Sequence, residues 1–325
     1  MNRRHFIAAT TAGALHAFQP RGKVAPKPLY RDPVYDGAAD PVLVWNHADR
    51  KCNMFYTNRR ANVADLPGVT WVHGTRIGIA ESADGGATWT YAGTAEIPYG
   101  KPDYTHWAPD IVDHDGTYHM YLSVVPGIFE DWNAARDIVH LTSRDLRKWK
   151  YEAVLDLGSD RVIDAGVARL PDGSWRMWYK NERAKDGALY YADSPDLYRW
   201  TSKGNAIPAV GGEGPKIFHW KNTWWMIADV WDGLAVFRSD DCLHWQRQPN
   251  NIVKEPGTAE TDRAKGDHAD VVVSGGRVYL FYFVHQAGSE RKHTVIQVAE
   301  LEAEGGVITC DRNRSVRIDL QPPRA

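Results

Sequence analysis

Three strand-like segments recur five times in the same order along this 325-residue chain. Such recurrence limits the fold more than any composition does, because a unit too small to bury its own apolar face must stack on its neighbours. The first segment is an acidic or polar residue opening a short apolar run: Asp40-Pro-Val-Leu-Val-Trp45, Ala108-Pro-Asp110-Ile-Val112, Asp164-Ala-Gly-Val-Ala168, Glu213-Gly-Pro-Lys-Ile-Phe218 and His268-Ala-Asp270-Val-Val-Val273. After a polar turn comes an aromatic alternating run: Met54-Phe-Tyr56, Tyr118-His-Met-Tyr-Leu122, Trp175-Arg-Met-Trp-Tyr179, Trp224-Trp-Met-Ile227 and Val278-Tyr-Leu-Phe-Tyr282. Each pair reads as a β-hairpin. In the first four units a third strand runs into a Ser-x-Asp turn closed by tryptophan, at Ser82 to Trp89, Ser143 to Trp149, Ser194 to Trp200 and Ser239 to Trp245.

Those tryptophans lie 60, 51 and 45 residues apart, the length of one four-stranded propeller blade. The chain is therefore expected to be all-β, a five-bladed β-propeller forming a single domain over residues 28–325. In the fifth unit the third strand is expected at His293–Val298, without the Ser-x-Asp turn. No window sustains helical periodicity, so helix should be scarce. The longest stretches outside the repeats, Arg59 to Gly74 and Val125 to Arg136, read as loops that could rim a pocket.

Residues 1–20 differ from the rest. Arg3 and Arg4 precede an Ala/Thr/Gly-rich, weakly apolar run, which reads as a twin-arginine export signal and predicts an exported protein, periplasmic or extracellular. No segment reaches the roughly 18 apolar residues of a spanning helix, so no membrane insertion is expected after signal removal. The net charge of -2 with both signs interspersed excludes an electrostatic footprint for nucleic acid. Cys52, Cys242 and Cys310 are widely spaced and form no CxxC pair, which points to core residues rather than a zinc or disulfide framework. The 14 Trp and 15 Tyr supply flat faces suited to sugar rings as well as to core packing.

In a propeller the innermost strands converge on the axis, so the residues opening each unit, Asp40, Asp110, Asp164, Glu213 and His268, should share one funnel. Gathering ionisable groups there costs desolvation and repulsion, which functional sites tolerate. The motifs Ala39-Asp40-Pro41, Trp107-Ala-Pro-Asp110, Ile163-Asp164 and Glu213-Gly214-Pro215, each at its own blade start, resemble those of glycoside hydrolase family 43 and related propeller glycosidases. The resemblance covers nearly the whole mature chain. It implies an inverting glycosidase in which Asp40 is the general base, Glu213 the general acid, and Asp164 the carboxylate that raises the acid's pKa and holds it. Such an acid needs burial or a neighbouring charge to keep its proton, and inversion needs room for water between acid and base.

The resemblance makes Asp110 structural or substrate-binding and puts His268 near the axis, beside a water or a calcium ion; no cofactor is required. The substrate is expected to be a plant or algal carbohydrate cleaved at terminal or internal bonds, by default an arabinofuranoside or xyloside. Trp45, Trp107 and Trp231 are candidates to stack on sugar, and His106 and Arg263 to bind it. Blade three departs from the family by reading Asp164-Ala-Gly instead of Asp-Pro. Three other readings stay open: an anhydro-sugar hydrolase with His73 or His106 as acid, a non-catalytic sugar-binding propeller, and a sialidase. The last is suggested by Ser82-Ala-Asp84-Gly-Gly-Ala-Thr88-Trp89, but it requires six blades and an arginine triad that the sequence does not offer.

Overall fold

The computed structural model describes residues 22–287 and 292–323; the export signal expected over residues 1–20 lies outside them. A short strand β1 (Lys23–Val24) precedes blade one, which comprises β2 (Ala38–Asn46), β3 (Lys51–Asn58), β4 (Arg76–Ser82) and β5 (Thr90–Thr94). Blade two holds β6 (Thr105–His114), β7 (Thr117–Val125), β8 (Asp137–Ser143) and β9 (Lys150–Val154). Blade three holds β10 (Val162–Arg169), β11 (Trp175–Asn181), β12 (Leu189–Ser194) and β13 (Thr201–Ile207). Blade four holds β14 (Glu213–Trp220), β15 (Thr223–Asp229), β16 (Leu234–Ser239) and β17 (Gln246–Arg247). Blade five holds β18 (Asp267–Ser274), β19 (Arg277–His285), β20 (Thr294–Glu304) and β21 (Val307–Cys310), and β22 (Arg317–Ile318) follows it.

Each blade is a four-stranded sheet in chain order, so the five-bladed propeller read from the repeats is the observed fold. Among the described residues the only helices are single 3-10 turns at Thr70–Val72 and Glu260–Asp262. All four strands of blade five come from its own segment, so the ring closes without a borrowed strand. Instead β1 pairs with β22, and Tyr30 pairs with Ile296 of β20. The folded chain thus takes in residues ahead of the expected start at 28.

The core is divided among the blade interfaces. Met54, Tyr56 and Ala80 of blade one pack on Tyr279, Phe281 and Ile296 of blade five, sealed by Leu29 and Ile318. Phe55 and Ile79 meet Met120 and Leu141 between blades one and two. Corresponding clusters fill the other interfaces. The Ser-x-Asp turns act as local clamps: Asp84 Oδ1 accepts the Ala87 and Thr88 amides at 3.2 and 2.9 Å, and Asp145, Asp196 and Asp241 accept equivalent amides. With five blades and this structural use of Ser82 to Trp89, the six-bladed sialidase reading does not fit. The cysteines are free, with Cys52 and Cys242 buried.

Candidate active site

Every innermost strand carries a one-residue bulge, seen as register slips at Ala39/Val42, Trp107/Asp110, Ile163/Gly166, Glu213/Lys216 and Asp267/Ala269. A bulge bends its strand and re-aims a side chain. Aligned on the slips, Asp40, Ala108, Asp164, Gly214 and His268 are equivalent positions. The first four adopt left-handed backbone, with φ of 50°, 39°, 59° and 59°, a conformation that non-glycine residues adopt at a cost and that clusters at functional sites. The preceding blade anchors this position: the amides of Ala108, Asp164 and His268 donate to Thr57 Oγ1, Ser123 Oγ and Asp229 Oδ2, each at 2.9 Å.

The sequence reading gave Asp40, Asp110, Asp164, Glu213 and His268 one shared position, and the bulges correct it. Glu213 precedes the shared position by one residue and Asp110 follows it by two. A slip of two residues carries Asp110 below the funnel into a buried axial ion pair, where Lys216 Nζ meets Asp110 at 2.6 Å and Asp270 at 2.9 Å. The remaining oxygens accept the Val167 and Leu43 amides. Asp110 is therefore a structural residue, not a substrate contact.

Asp40, Asp164, Glu213 and His268 line one cavity of about 290 Å³, together with Trp107 and Trp231. His268 Nδ1 lies 3.6 Å from Asp40 and 3.9 Å from Asp164. Its ring lies on Gly214, where any Cβ would meet it at 2.8 Å, so this position admits only glycine. Burial pulls the imidazolium pKa down, but the carboxylates of Asp164, Asp40, Glu213 and Asp229 outweigh burial and leave it raised. Burial, aided by the charges of Glu213 and Asp40 against His268 and Lys180, lifts the Asp164 carboxyl to about 8. Asp164 thus holds its proton to higher pH than an ordinary carboxyl, and where that proton leaves, its charge favours the His268 imidazolium.

Cations that the sequence reading missed hold the other carboxylates. Arg59 reaches Asp40 at 3.3 Å while lying over the Phe283 ring, and Lys180 reaches Glu213 at 2.8 Å with its ammonium 4.4 Å from the Trp231 ring centre. Arg136, Glu182 and Trp132 complete the wall. A usable signal existed for Lys180: it stands near the end of the second strand of its unit, at the register of Thr57, Ser123 and Asp229. The loops expected to rim a pocket do so through Val72, Trp132 and Arg136.

Several expected contacts lie elsewhere. Trp45 packs on the core between blades one and five, its carbonyl accepting the Tyr118 hydroxyl at 3.0 Å, because it sits five residues down the strand from Asp40. His106 is buried behind Trp107 and burial pushes its pKa to about 3. Arg263 is exposed at the end of the second 3-10 turn. His73, the other candidate acid, is walled in by Trp107 and Phe129. Neither histidine lines the cavity, so the anhydro-sugar reading loses its named acids. At the level of Asp110 and Asp270 the Lys216 ammonium, rather than a metal ion, supplies the positive charge. Among the described residues no group of three or more His, Cys, Asp or Glu is arranged to hold a metal. A larger depression of about 790 Å³, between segments 247–256 of blade four and 307–313 of blade five, is lined by Asp232, Glu255 and Asp311, of which Asp232 pairs with Lys254 at 2.8 Å and Asp311 with Arg314 at 3.2 Å.

No protein-family model and no curated protein matches the chain. Solved structures do. A thermostable family-43 glycoside hydrolase superposes with a TM-score of 0.67 at 17% identity, covering 91% of this chain and 99% of the other. A β-xylosidase/α-arabinofuranosidase of the same family from a compost microbial metagenome, a calcium-free form in complex with xylotriose, gives 0.64 at 18%, over 89% and 98%. A family-43 β-1,3-galactosidase bound to galactodeoxynojirimycin gives 0.65 at 16%, over 89% and 97%. At these identities the likeness establishes the fold: the chain is a five-bladed β-propeller. More particularly, its propeller is similar to those of the family-43 glycoside hydrolases above and spans nearly their full length.

Proposed function

We propose that the chain is a glycoside hydrolase of the family-43 type that inverts configuration at the anomeric carbon. The observation carrying this is the convergence of Asp40, Asp164 and Glu213, from three separate blades, in one cavity floored by His268. A binding module has no need for three carboxylates, two at the bulge position and one beside it, in a single cavity. In this reading Asp40, oriented by Arg59, takes a proton from water as it attacks the anomeric carbon, and Glu213 protonates the leaving oxygen. Asp164 holds the acid side of the site. Its burial beside Glu213 and Asp40 supports that place, and His268 supplies a donor between Asp40 and Asp164.

One observation favours a second assignment within the same reaction. The raised pKa of Asp164 favours its protonated carboxyl, whereas Glu213 faces the Lys180 ammonium at 2.8 Å. Asp164 would then deliver the proton and Glu213 would position it. Substrates with acidic leaving groups separate the two, because they need no protonation. The variant lacking the true acid keeps its rate on an activated nitrophenyl glycoside and loses it on an alkyl glycoside or oligosaccharide.

The cavity is at the small end for ligand pockets, which run from roughly 300 to 1,000 Å³. That supports removal of a terminal sugar, with an arabinofuranoside or xyloside as the default. The test is a panel of nitrophenyl glycosides and neutral xylo-, arabino- and galacto-oligosaccharides given to the wild type, Asp40→Asn and Glu213→Gln. Sugar release from the oligosaccharides by the wild type alone, with the inverted anomer first by NMR and a bell-shaped pH profile, supports the proposal; on the nitrophenyl glycosides only Asp40→Asn need be inactive. Binding without turnover across the panel sinks it in favour of a sugar-binding propeller. Export through the twin-arginine segment is proposed with it; fusion of residues 1–27 to a reporter should carry the reporter out of the cytoplasm, and Arg3→Lys with Arg4→Lys should retain it.

A further inference from the structure

One wall of the cavity is built from residues that the proposed chemistry does not use. Trp132, on the loop between β7 and β8, lines the cavity and is 50% exposed. Leaving an indole half in water forgoes much of the stabilisation that burial would bring. Yet its backbone is held firmly: the Trp132 carbonyl accepts from both Arg136 and, at 2.8 Å, Arg161. The ring also lies beside Trp107 and His73, with centres 5.9 and 6.3 Å away. This is a flat apolar face fixed in advance at the mouth of a polar cavity, the arrangement that stacks on the face of a sugar ring.

Beside it stands a paired cation and anion. Arg136 is only 2% exposed, lies over Trp107 and meets Glu182 at 2.9 Å. Both line the cavity. A guanidinium offers several N–H donors and a carboxylate only acceptors, so together they can bond two adjacent hydroxyls, one through each oxygen's lone pair and one through its proton. Charge decides between a neutral and an acidic ligand. Arg136 and Arg161 share Glu182, and Arg183 pairs with Asp160 at 2.6 Å. Each of these arginines already faces a carboxylate within 4 Å, an arrangement that favours a neutral ligand over a uronate or sulfate.

We propose that Trp132, Arg136 and Glu182 form a subsite for an uncharged sugar ring, Trp132 stacking on its face while the Arg136–Glu182 pair binds two neighbouring hydroxyls. This rests on the glycosidase reading and names its substrate class: a neutral saccharide with a vicinal diol. The experiment measures kcat and KM for wild type, Trp132→Ala, Trp132→Phe and Glu182→Gln on the neutral oligosaccharide that the wild type cleaves best. It adds calorimetric binding of that sugar, a monodeoxy analogue and a uronate-bearing analogue to Asp40→Asn protein. Trp132→Ala should raise KM about ten-fold with kcat within about two-fold, and Trp132→Phe should restore most of it. Adding Glu182→Gln should weaken binding of the diol by about ten-fold or more, as expected for a lost hydrogen bond to a charged group, and binding of the deoxy analogue far less. The uronate should bind no better than the neutral sugar. Cleavage by all variants with unchanged KM, a fall in kcat alone, or tighter binding of the uronate would overturn the subsite while leaving the glycosidase reading intact. Failure of the wild type to cleave any sugar and of Asp40→Asn to bind any would overturn both.

Discussion

Replacing Asp164 by Asn tests the electrostatics of the site without relying on turnover. Asparagine matches the protonated carboxyl in shape and tolerates the left-handed φ of 59° at this position better than other side chains, so the backbone need not move. The carboxyl is buried and its pKa stands near 8 against an ordinary 3.8, with burial as the main cause. Below pH 3.8 both the folded and unfolded chains hold this proton, and it contributes nothing to the pH dependence. Between 3.8 and about 8 the unfolded chain releases the proton while the native site keeps it. Native stability therefore falls as pH rises through that window, by roughly 1.4 kcal/mol per pH unit from this group, and levels off above about 8. The whole effect is on the order of 5 kcal/mol. The Asp164→Asn variant has no such proton to lose, so its stability relative to wild type should climb by about that amount between roughly pH 4 and pH 8. Urea denaturation at about one-unit pH steps across that range, read by tryptophan fluorescence, measures it directly. A difference that stays constant within about 1 kcal/mol across the series would refute the claim that Asp164 is held protonated by burial.

Other consequences are equally direct. Lys216→Met should cost about 3–5 kcal/mol in chemical denaturation, because Asp110 and Asp270 would be left as buried carboxylates without their shared cation; an unchanged midpoint would remove the axial ion pair from the fold's supports. Gly214→Ala should abolish most activity and destabilise the fold by about 1–2 kcal/mol or more, since the left-handed conformation is unfavourable for alanine and the new Cβ would strike the His268 ring; full activity at wild-type stability would contradict the packing. The stacked His119 and His140 rings share a hydrogen bond of 3.0 Å, and burial lowers their pKa values to about 4 and about 3. The unfolded chain binds protons near pH 6.5 that the native pair refuses, so stability should drop on acidification from pH 6.5 towards about 4. His140→Gln should flatten that slope in thermal melts, and a slope identical to wild type would exclude the pair as its source.

Local sequence by itself determined the blades. Hairpins, Ser-x-Asp turns and closing tryptophans depend on contacts within a few residues, so each of the five units announces itself in isolation, and their number follows by counting. The same locality marked Asp40, Asp164, Glu213, His268, Trp107 and Trp231, which stand at or next to blade edges and all reach the cavity. What the sequence could not supply was register. A single extra residue in each innermost strand decides whether a side chain faces the funnel or the interior, and that residue is revealed only by pairing with the neighbouring strand. Hence Asp110, two positions beyond the bulge, became the counter-ion of Lys216, and Trp45 became core. The cations had no repeating signature either. Arg59 meets Asp40 across the hairpin of blade one, whereas packing of neighbouring blades brings Arg136 to Glu182 and Lys180 to Glu213. Their role rests on Coulomb interactions between residues of 19 to 46 positions' separation in sequence, distances that no local pattern encodes.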